Sequence, residues 1–324
     1  MIDSPMKSPV VFMFSGQGSQ YYHMGKELYD NHPRFKLWMD HCNDILSPLL
    51  DVSLIDVLYR KNKKSELFDN ILFTNPALLC IEYSLARVLM EIGIQPDYLL
   101  GYSLGEITAS VVSGAVSLEE GLELTVDYAK LLEKESPAAG MLAVIESADI
   151  IIQYPELFQN CWVTGRNFNR SFVVSGLPHD IQALQVALNQ KNIMSQKLPV
   201  NFGFHTELMN PLEEKFKQMA QRVNFSPIRI PCISALTTTQ IPEINAEYLW
   251  EVIRYPVEFE KTISAMLQQG DYRFIDVGPS GTLATFIKYL LPLGSNSLYF
   301  EVINQFGKDL VSLEKFTARF RSAT

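Results

Sequence analysis

The first strongly apolar stretch, Val10-Val11-Phe12-Met13-Phe14, is short, rich in β-formers and uninterrupted by polar residues. That pattern predicts a strand buried on both faces. Between residues 26 and 59 the apolar positions recur at helical spacing, and Pro33 and Pro48 predict breaks that divide the stretch into short helices. Asn75-Pro76 predicts the opening of a helix that runs through Met90 and stops at Gly93, followed by a strand within residues 94–100. Strand, helices, strand and helix in this order predict a parallel sheet with covering helices.

The texture changes after Pro137-Ala138-Ala139-Gly140. Strands are predicted at residues 141–145, 162–164 and 172–176, helices at 148–154 and 179–191, and an extended segment at 195–200. Strand, helix, strand, strand, helix, strand is the ferredoxin-like order. The segment 273–279 then reads as a further strand of the first sheet ending in a turn. The fold class is therefore α/β: an α/β-hydrolase-like large domain of residues 1–138 and 202–324, with a ferredoxin-like small domain, 139–201, inserted in it.

Bulk properties narrow the function. The length of 324 residues and 47% hydrophobic content allow a sizeable core. A net charge of -9 excludes nucleic acid as a principal partner, because phosphate binding relies on a basic face. Residues 1–8 lack an apolar signal core, and no uncharged apolar run approaches the roughly 18 residues of a membrane span. The four cysteines are scattered, with no CxxC pair and no Cys/His cluster at metal-ligand spacing, so a reducing cytoplasmic compartment and no metal are expected. The basic run Arg60-Lys61-Asn62-Lys63-Lys64 reads as a solvated loop or, alternatively, as a docking patch for an acidic partner.

The chemistry concentrates at Gly101-Tyr102-Ser103-Leu104-Gly105, between a predicted strand and a predicted helix. Two readings fit: a tight glycine turn with an incidental serine, or a nucleophile elbow that projects the Ser103 hydroxyl and aims the Leu104 amide at a developing oxyanion. A serine nucleophile needs a base. Of the five histidines, His205 lies where the chain leaves the small domain for the large one, and a domain seam is a usual place for a cleft. A satisfied core histidine is the other reading. Gly16-Gln17-Gly18-Ser19-Gln20 follows the first strand but lacks the endings of a P-loop and of a dinucleotide fingerprint, which leaves a plain turn or a Gln17 amide serving an oxyanion.

Gly16-Gln17-Gly18-Ser19-Gln20, Gly101-Tyr102-Ser103-Leu104-Gly105-Glu106, Asn167-Phe168-Asn169 with Val173-Val174-Ser175-Gly176, Phe204-His205, and Asp276-Val277-Gly278-Pro279 resemble, in order and spacing, the malonyl-CoA:acyl carrier protein transacylase family. The resemblance implies Ser103 as nucleophile, His205 as base, Gln17 and the Leu104 amide as oxyanion hole, and a main-chain carbonyl near Val252 orienting His205. It also implies no bound cofactor, with the acyl thioester carried on the phosphopantetheine arm of an acyl carrier protein or on CoA.

Two positions depart from the family pattern. Members that use malonyl units carry an arginine 25 positions after the serine; here that position is Tyr128, which offers no positive charge. Lys130 lies about 200° around a helix from it. Tyr102 stands where the family often has histidine, with no consequence derivable from sequence. Loss of the arginine resembles the acyl hydrolase branch of trans-acyltransferase polyketide pathways and the stand-alone acyltransferase homologues of bacillaene-type clusters. Phe204 before the histidine resembles the malonyl-type pattern, so a transferase loading malonyl or other acyl units is the alternative. A non-catalytic docking module for carrier proteins is the third reading.

Overall fold

Nine strands run through the described residues, 8–322 of a computed structural model: β1 (Val10–Phe14), β2 (Tyr98–Gly101), β3 (Gly140–Val144), β4 (Cys161–Phe168), β5 (Ser171–Gly176), β6 (Ser195–Lys197), β7 (Cys232–Ser234), β8 (Arg273–Asp276) and β9 (Leu298–Glu301). Residues 1–7, most of the stretch read as lacking a signal core, lie outside the described residues. Two sheets result. The first is parallel throughout, in the order β7-β2-β1-β8-β9. The second is antiparallel, in the order β4-β5-β3-β6.

Every residue of β1 is buried, as expected of a central parallel strand with helices on both faces. Its neighbours β2 and β8 lie on opposite sides, so the chain reverses its winding direction at β1. The crevice beyond the carboxyl ends of strands at such a switch point is where open α/β sheets place their ligands. The second sheet has the ferredoxin-like strand order. Ala139 N–H donates to Asn201 O at 3.1 Å, closing the neck where the chain enters and leaves it, and β4 is joined to the first unit where Val257 N–H donates to Thr164 O at 3.0 Å.

Several element boundaries differ from the sequence expectation. The helix expected to open at Asn75-Pro76 spans Ile71–Glu91 and is capped by the Asn70 side chain. Pro76 is tolerated in its second turn, because only one ladder donor, to the Leu72 carbonyl, is lost. Pro33 does begin a helix, Pro33–Leu50, but Pro48 lies inside its last turn and breaks nothing. The expected 148–154 helix is two short ones, Ile150–Gln153 and Pro155–Phe158, and the extended 195–200 segment pairs only over β6. Strands β7 and β9, three and four residues long, went unrecognised.

The turn after β2 is sterically closed. A Cβ on Gly105 would strike the Phe14 carbonyl, and one on Gly101 would strike the main chain of Glu106. Gly105→Ala is therefore expected to lower unfolding free energy by about 3 kcal/mol, since overpacking here meets backbone that cannot rotate away. An unchanged denaturant midpoint would show that the turn has slack.

Candidate active site

Phe14 of β1 pairs with Gly101 of β2, so the turns that follow the two strands lie side by side. The approach is so close that a Cβ on Gly16 would come within 2.7 Å of the Tyr102 carbonyl and 3.0 Å of Ser103 Cβ. Ser103 itself takes φ 55°, a left-handed conformation that non-glycine residues adopt rarely and mostly where surrounding structure enforces it. The helix Gly105–Val112 follows, with Leu104 at its N-cap.

His205 also has positive φ, 63°, and is brought to the serine from the far side of the seam. Its Nε2 lies 2.7 Å from Ser103 Oγ, and its Nδ1 lies 2.8 Å from the Tyr255 carbonyl. A carbonyl only accepts, so Nδ1 carries the proton and Nε2 is left to accept from the serine hydroxyl. The carbonyl expected near Val252 is thus corrected to that of Tyr255. The helix Ala246–Arg254 ends just before Tyr255, whose extended conformation swings its carbonyl toward the imidazole. Val252 contributes only the weaker main-chain interaction. Ile253 O, in the same last turn, accepts from the His205 N–H at 2.9 Å, so orphan carbonyls of a helix end hold the histidine twice.

Burial pulls the His205 imidazole down to about 4, against the opposing effect of the Tyr255 and Val252 carbonyls. The base is neutral at physiological pH. No carboxylate touches it among the described residues, and the negative end of the helix dipole is what would stabilise a transient imidazolium.

Gln17 holds its place through its side chain. Nε2 donates to Thr74 Oγ1 at 2.9 Å and Asn75 Oδ1 at 2.5 Å. Both amide hydrogens are thereby used, and the main-chain N–H groups of Gln17 and Leu104 have no hydrogen-bond partner among the described residues. Two unpaired main-chain donors beside a serine–histidine pair are the elements of an oxyanion hole. Glu82 fastens this loop: its carboxyl accepts from Ser15 N at 2.6 Å, Ser15 Oγ at 2.7 Å and Thr108 Oγ1 at 2.9 Å, so it joins the Gln17 turn to the helix behind Ser103. Burial pushes Glu82 up to about 8. It was missed in the sequence, although a lone acid within the apolar run 77–83 was the signal. Glu106 ties the same helix to Tyr248 Oη at 2.9 Å.

Tyr102 gains a role that sequence did not supply. Its hydroxyl donates to Asn167 Oδ1 at 2.7 Å and so tethers the Ser103 turn to β4 across the seam. Gly165 makes room, since a Cβ there would lie 2.7 Å from that hydroxyl.

Ser103 lines two small cavities. One, of about 30 Å³, it shares with His205, Gln17, Tyr102, Thr164 and Phe204; a cleft of about 330 Å³ between the sheets, whose lining includes Gln17, Tyr21, Tyr102, Asn167, Gln196 and Phe286, shares Gln17 and Tyr102 with it. The other small cavity, of about 20 Å³, is enclosed by Ser103, Leu104, Ile107, Tyr128, Phe204, Leu249, Val252 and Ile253, with Gln17 at its edge. No residue of its lining is charged. Lys130 is exposed and donates to Leu49 O, away from the site, as its helical angle predicted. A larger groove of about 960 Å³, beside Arg87 and Arg229, shares no lining residue with Ser103 or His205.

Residues 11–320 match the acyl transferase domain family. The chain is 37% identical over 309 residues to the polyketide biosynthesis acyltransferase homolog PksD of Bacillus subtilis, with 95% of each chain covered. It is 35% identical to the polyketide biosynthesis acyltransferase homolog BaeD of Bacillus velezensis, with 96% of each covered. A solved loading acyltransferase from the avermectin modular polyketide synthase is similar with a TM-score of 0.88 and 27% identity, over 96% of this chain and 99% of that one.

The lowered basicity of His205 has a direct readout. Labelling of Ser103 by a serine-directed fluorophosphonate should proceed at a constant rate from pH 8 to about 5 and fall only as pH drops through about 4, because the neutral imidazole persists down to its depressed pKa. A half-maximal rate near the ordinary histidine value of about 6.5 would mean that the imidazole is solvated.

Proposed function

We propose that this chain, which belongs to the acyl transferase domain family and is an acyltransferase enzyme, takes a neutral acyl group from a thioester onto Ser103 and releases it to water, as an acyl hydrolase acting in polyketide biosynthesis. The carrier is the phosphopantetheine arm of an acyl carrier protein, or CoA, and no metal or bound cofactor is called for. The observation that carries the neutral-acyl reading is the lining of the small cavity: Tyr128, 3% exposed, stands among apolar side chains with no cation to meet a carboxylate. A malonyl carboxylate desolvated there without a partner would cost several kcal/mol.

In this reading the pantetheine arm lies in the 330 Å³ cleft and the acyl group enters the small cavity. His205 Nε2 takes the hydroxyl proton as Ser103 Oγ attacks the thioester carbonyl, and the oxyanion is received by the Gln17 and Leu104 N–H groups. Collapse expels the carrier thiolate, which takes the proton from His205 and leaves the acyl-serine. A water from the cleft then gives its proton to His205 and attacks the ester. The second oxyanion collapses, Ser103 regains its proton and the free acid departs. Support for water as acceptor is the absence, in the lining of the small cavity, of an ion pair that would help exclude solvent around the ester. The names of the relatives support the pathway. Lys64 supports a carrier partner, since its Nζ sits 5.6 Å from the centre of the Tyr21 ring at the cleft rim, where charge would speed docking of an acidic protein.

Ser103→Ala should abolish covalent acylation and reduce turnover of acyl carrier protein roughly 10⁴-fold or more while the fold persists. With the unaltered enzyme, free acid should accumulate from acetyl carrier protein when no second carrier is present; an ester that survives until another carrier is added would establish loading in place of hydrolysis.

Acetyl thioesters should acylate Ser103 faster than malonyl thioesters. Tyr128→Arg should move the malonyl-to-acetyl ratio of kcat/KM upward by about 10- to 100-fold, the range of a charge-assisted hydrogen bond. Wild-type preference for malonyl would overturn the neutral-acyl reading.

A further inference from the structure

Four oxygens in and beside the Gln17 turn stand in a row that is one hydrogen short if Glu82 is ionised. Glu82 Oε1 lies 2.7 Å from Ser15 Oγ, Ser15 Oγ lies 2.7 Å from Ser19 Oγ, and Ser19 Oγ lies 2.7 Å from the Gly16 carbonyl oxygen. Three contacts need three hydrogens. The two serine hydroxyls supply one each, and a carboxylate and a carbonyl supply none. Ser15, Ser19 and Glu82 are buried, so bulk solvent does not make up the difference. One pair of oxygens would then meet lone pair to lone pair, a buried mismatch that native interiors rarely keep. The missing hydrogen has a source at the head of the row. If Glu82 is a neutral acid, its Oε1–H donates to Ser15 Oγ, Ser15 donates to Ser19 Oγ, and Ser19 donates to the Gly16 carbonyl. Every contact is filled in one direction. The remaining contacts of the carboxyl are kept, because Oε1 still accepts from the Ser15 N–H and Oε2 from Thr108 Oγ1. The electrostatics agree: no lysine, arginine or histidine bonds to Glu82 among the described residues, and the titratable group that acts on it from β8 is Asp276, itself a buried acid. Burial pushes Glu82 up to about 8.

We infer that Glu82 is a positioning residue for acylation of Ser103, whose neutral carboxyl heads a hydrogen-bond relay through Ser15 and Ser19 to the Gly16 carbonyl and thereby fixes the turn that carries the Gln17 N–H. The inference rests on the acyl-serine reading above and adds to it a residue that acts only through others. The relay closes the turn on itself, since the Gly16 carbonyl also accepts from the Ser19 N–H at 3.4 Å and Gln17 lies between the two. Its other end reaches the helix that follows the nucleophile, through Thr108. One buried proton thus joins the two main-chain segments whose N–H groups would receive the oxyanion, and a donor displaced from that position loses much of its effect on the rate.

Two measurements on the full chain test this. The first is the infrared difference spectrum of the wild type against Glu82→Gln at about pH 6, where an ordinary glutamate is ionised. It should contain the carbonyl stretch of a protonated carboxyl, and Ser15→Ala, which removes the acceptor of that proton, should shift the band. A missing band, or one that Ser15→Ala leaves unmoved, overturns the inference. The second measurement uses Ser19→Ala, which cuts the relay while leaving Glu82 and Ser15 in place. Acylation of Ser103 by acetyl pantetheine thioester is followed by intact-protein mass, and turnover by release of the thiol. The variant should lose about 10-fold in kcat, the order of one buried hydrogen bond, with KM changed by less than about 2-fold. A lowered melting temperature with unchanged kcat would show that the row serves only stability, and overturns the inference. If the wild type does not acylate Ser103 at all, the proposed function fails and this role fails with it. If the wild type does acylate Ser103 but the band is missing, the function stands and only the inference fails.

Discussion

Two main-chain turns are held one strand spacing apart at the carboxyl edge of the parallel sheet, and the geometry of the site follows from that contact. Adjacent strands in a sheet lie about 4.8 Å from each other, which leaves no room for side chains where the turns leaving β1 and β2 face one another. Gly16 and Gly105 are the positions where a Cβ would meet main chain across this gap, and one on Gly101 would meet the main chain of its own turn. The register Phe14 to Gly101 therefore does more than pair two strands. It sets the turn that carries Gln17 against the main chain of residues 102–104, at a separation that side-chain motion cannot alter.

Such an arrangement carries strain and charge that the surroundings must absorb. Ser103 and His205 both adopt left-handed φ, at roughly 1–3 kcal/mol each, and both are held by bonds from more than one direction. His205 is fixed through its N–H, Nδ1 and Nε2, and the Ser103 turn through the neighbouring Tyr102 hydroxyl and the helix that begins at Gly105. The carboxyls that brace the scaffold are kept from acting as charges. Burial raises Glu82 and Glu106 to about 8 and Asp276 to about 7, so much of the potential negative charge of this scaffold is suppressed near neutral pH. A carboxylate against His205 would make the imidazole more basic. A carbonyl fixes its tautomer without adding a full charge.

The parts of this architecture that were legible in sequence are those with strong local rules. An apolar run such as 10–14 has one reasonable burial pattern, and Gly101 to Gly105 has one reasonable turn. The βαββαβ order was legible because each element carried its own period. What failed was set by tertiary context. Pro48 looks like a break and Pro76 like a helix start only if every lost donor is costly, whereas each removes a single bond from a helix otherwise fixed by packing. Strands β7 and β9 are too short to show alternation and exist because a neighbour offers its edge. The His205 partner moved from Val252 to Tyr255 because carbonyl direction depends on where a helix ends, which spacing does not encode. Glu82 and the Tyr102 to Asn167 bond join residues 67 and 65 positions from their partners, a distance at which no local pattern operates.

The wide cleft and the small cavity at Ser103 differ in size and lining, and on the proposed reading that difference divides the work of the site. The cleft between the sheets is wide, polar in part and framed by two units joined at Thr164–Val257 and Arg166–Val257, so on the proposed reading a long carrier arm would enter while the walls keep their spacing. The inner cavity is smaller and has no charged residue in its lining. On the proposed reading, binding energy from the arm would be available in the first space, and discrimination among acyl groups would occur in the second. An ester formed at Ser103 would sit on the boundary, with its acyl chain sealed inside and its carbonyl facing the side from which the carrier has left. The same opening that admits the thioester then admits the next nucleophile, so the identity of the acceptor depends on what occupies the cleft after the thiol departs and the acyl pocket has no means of choosing it.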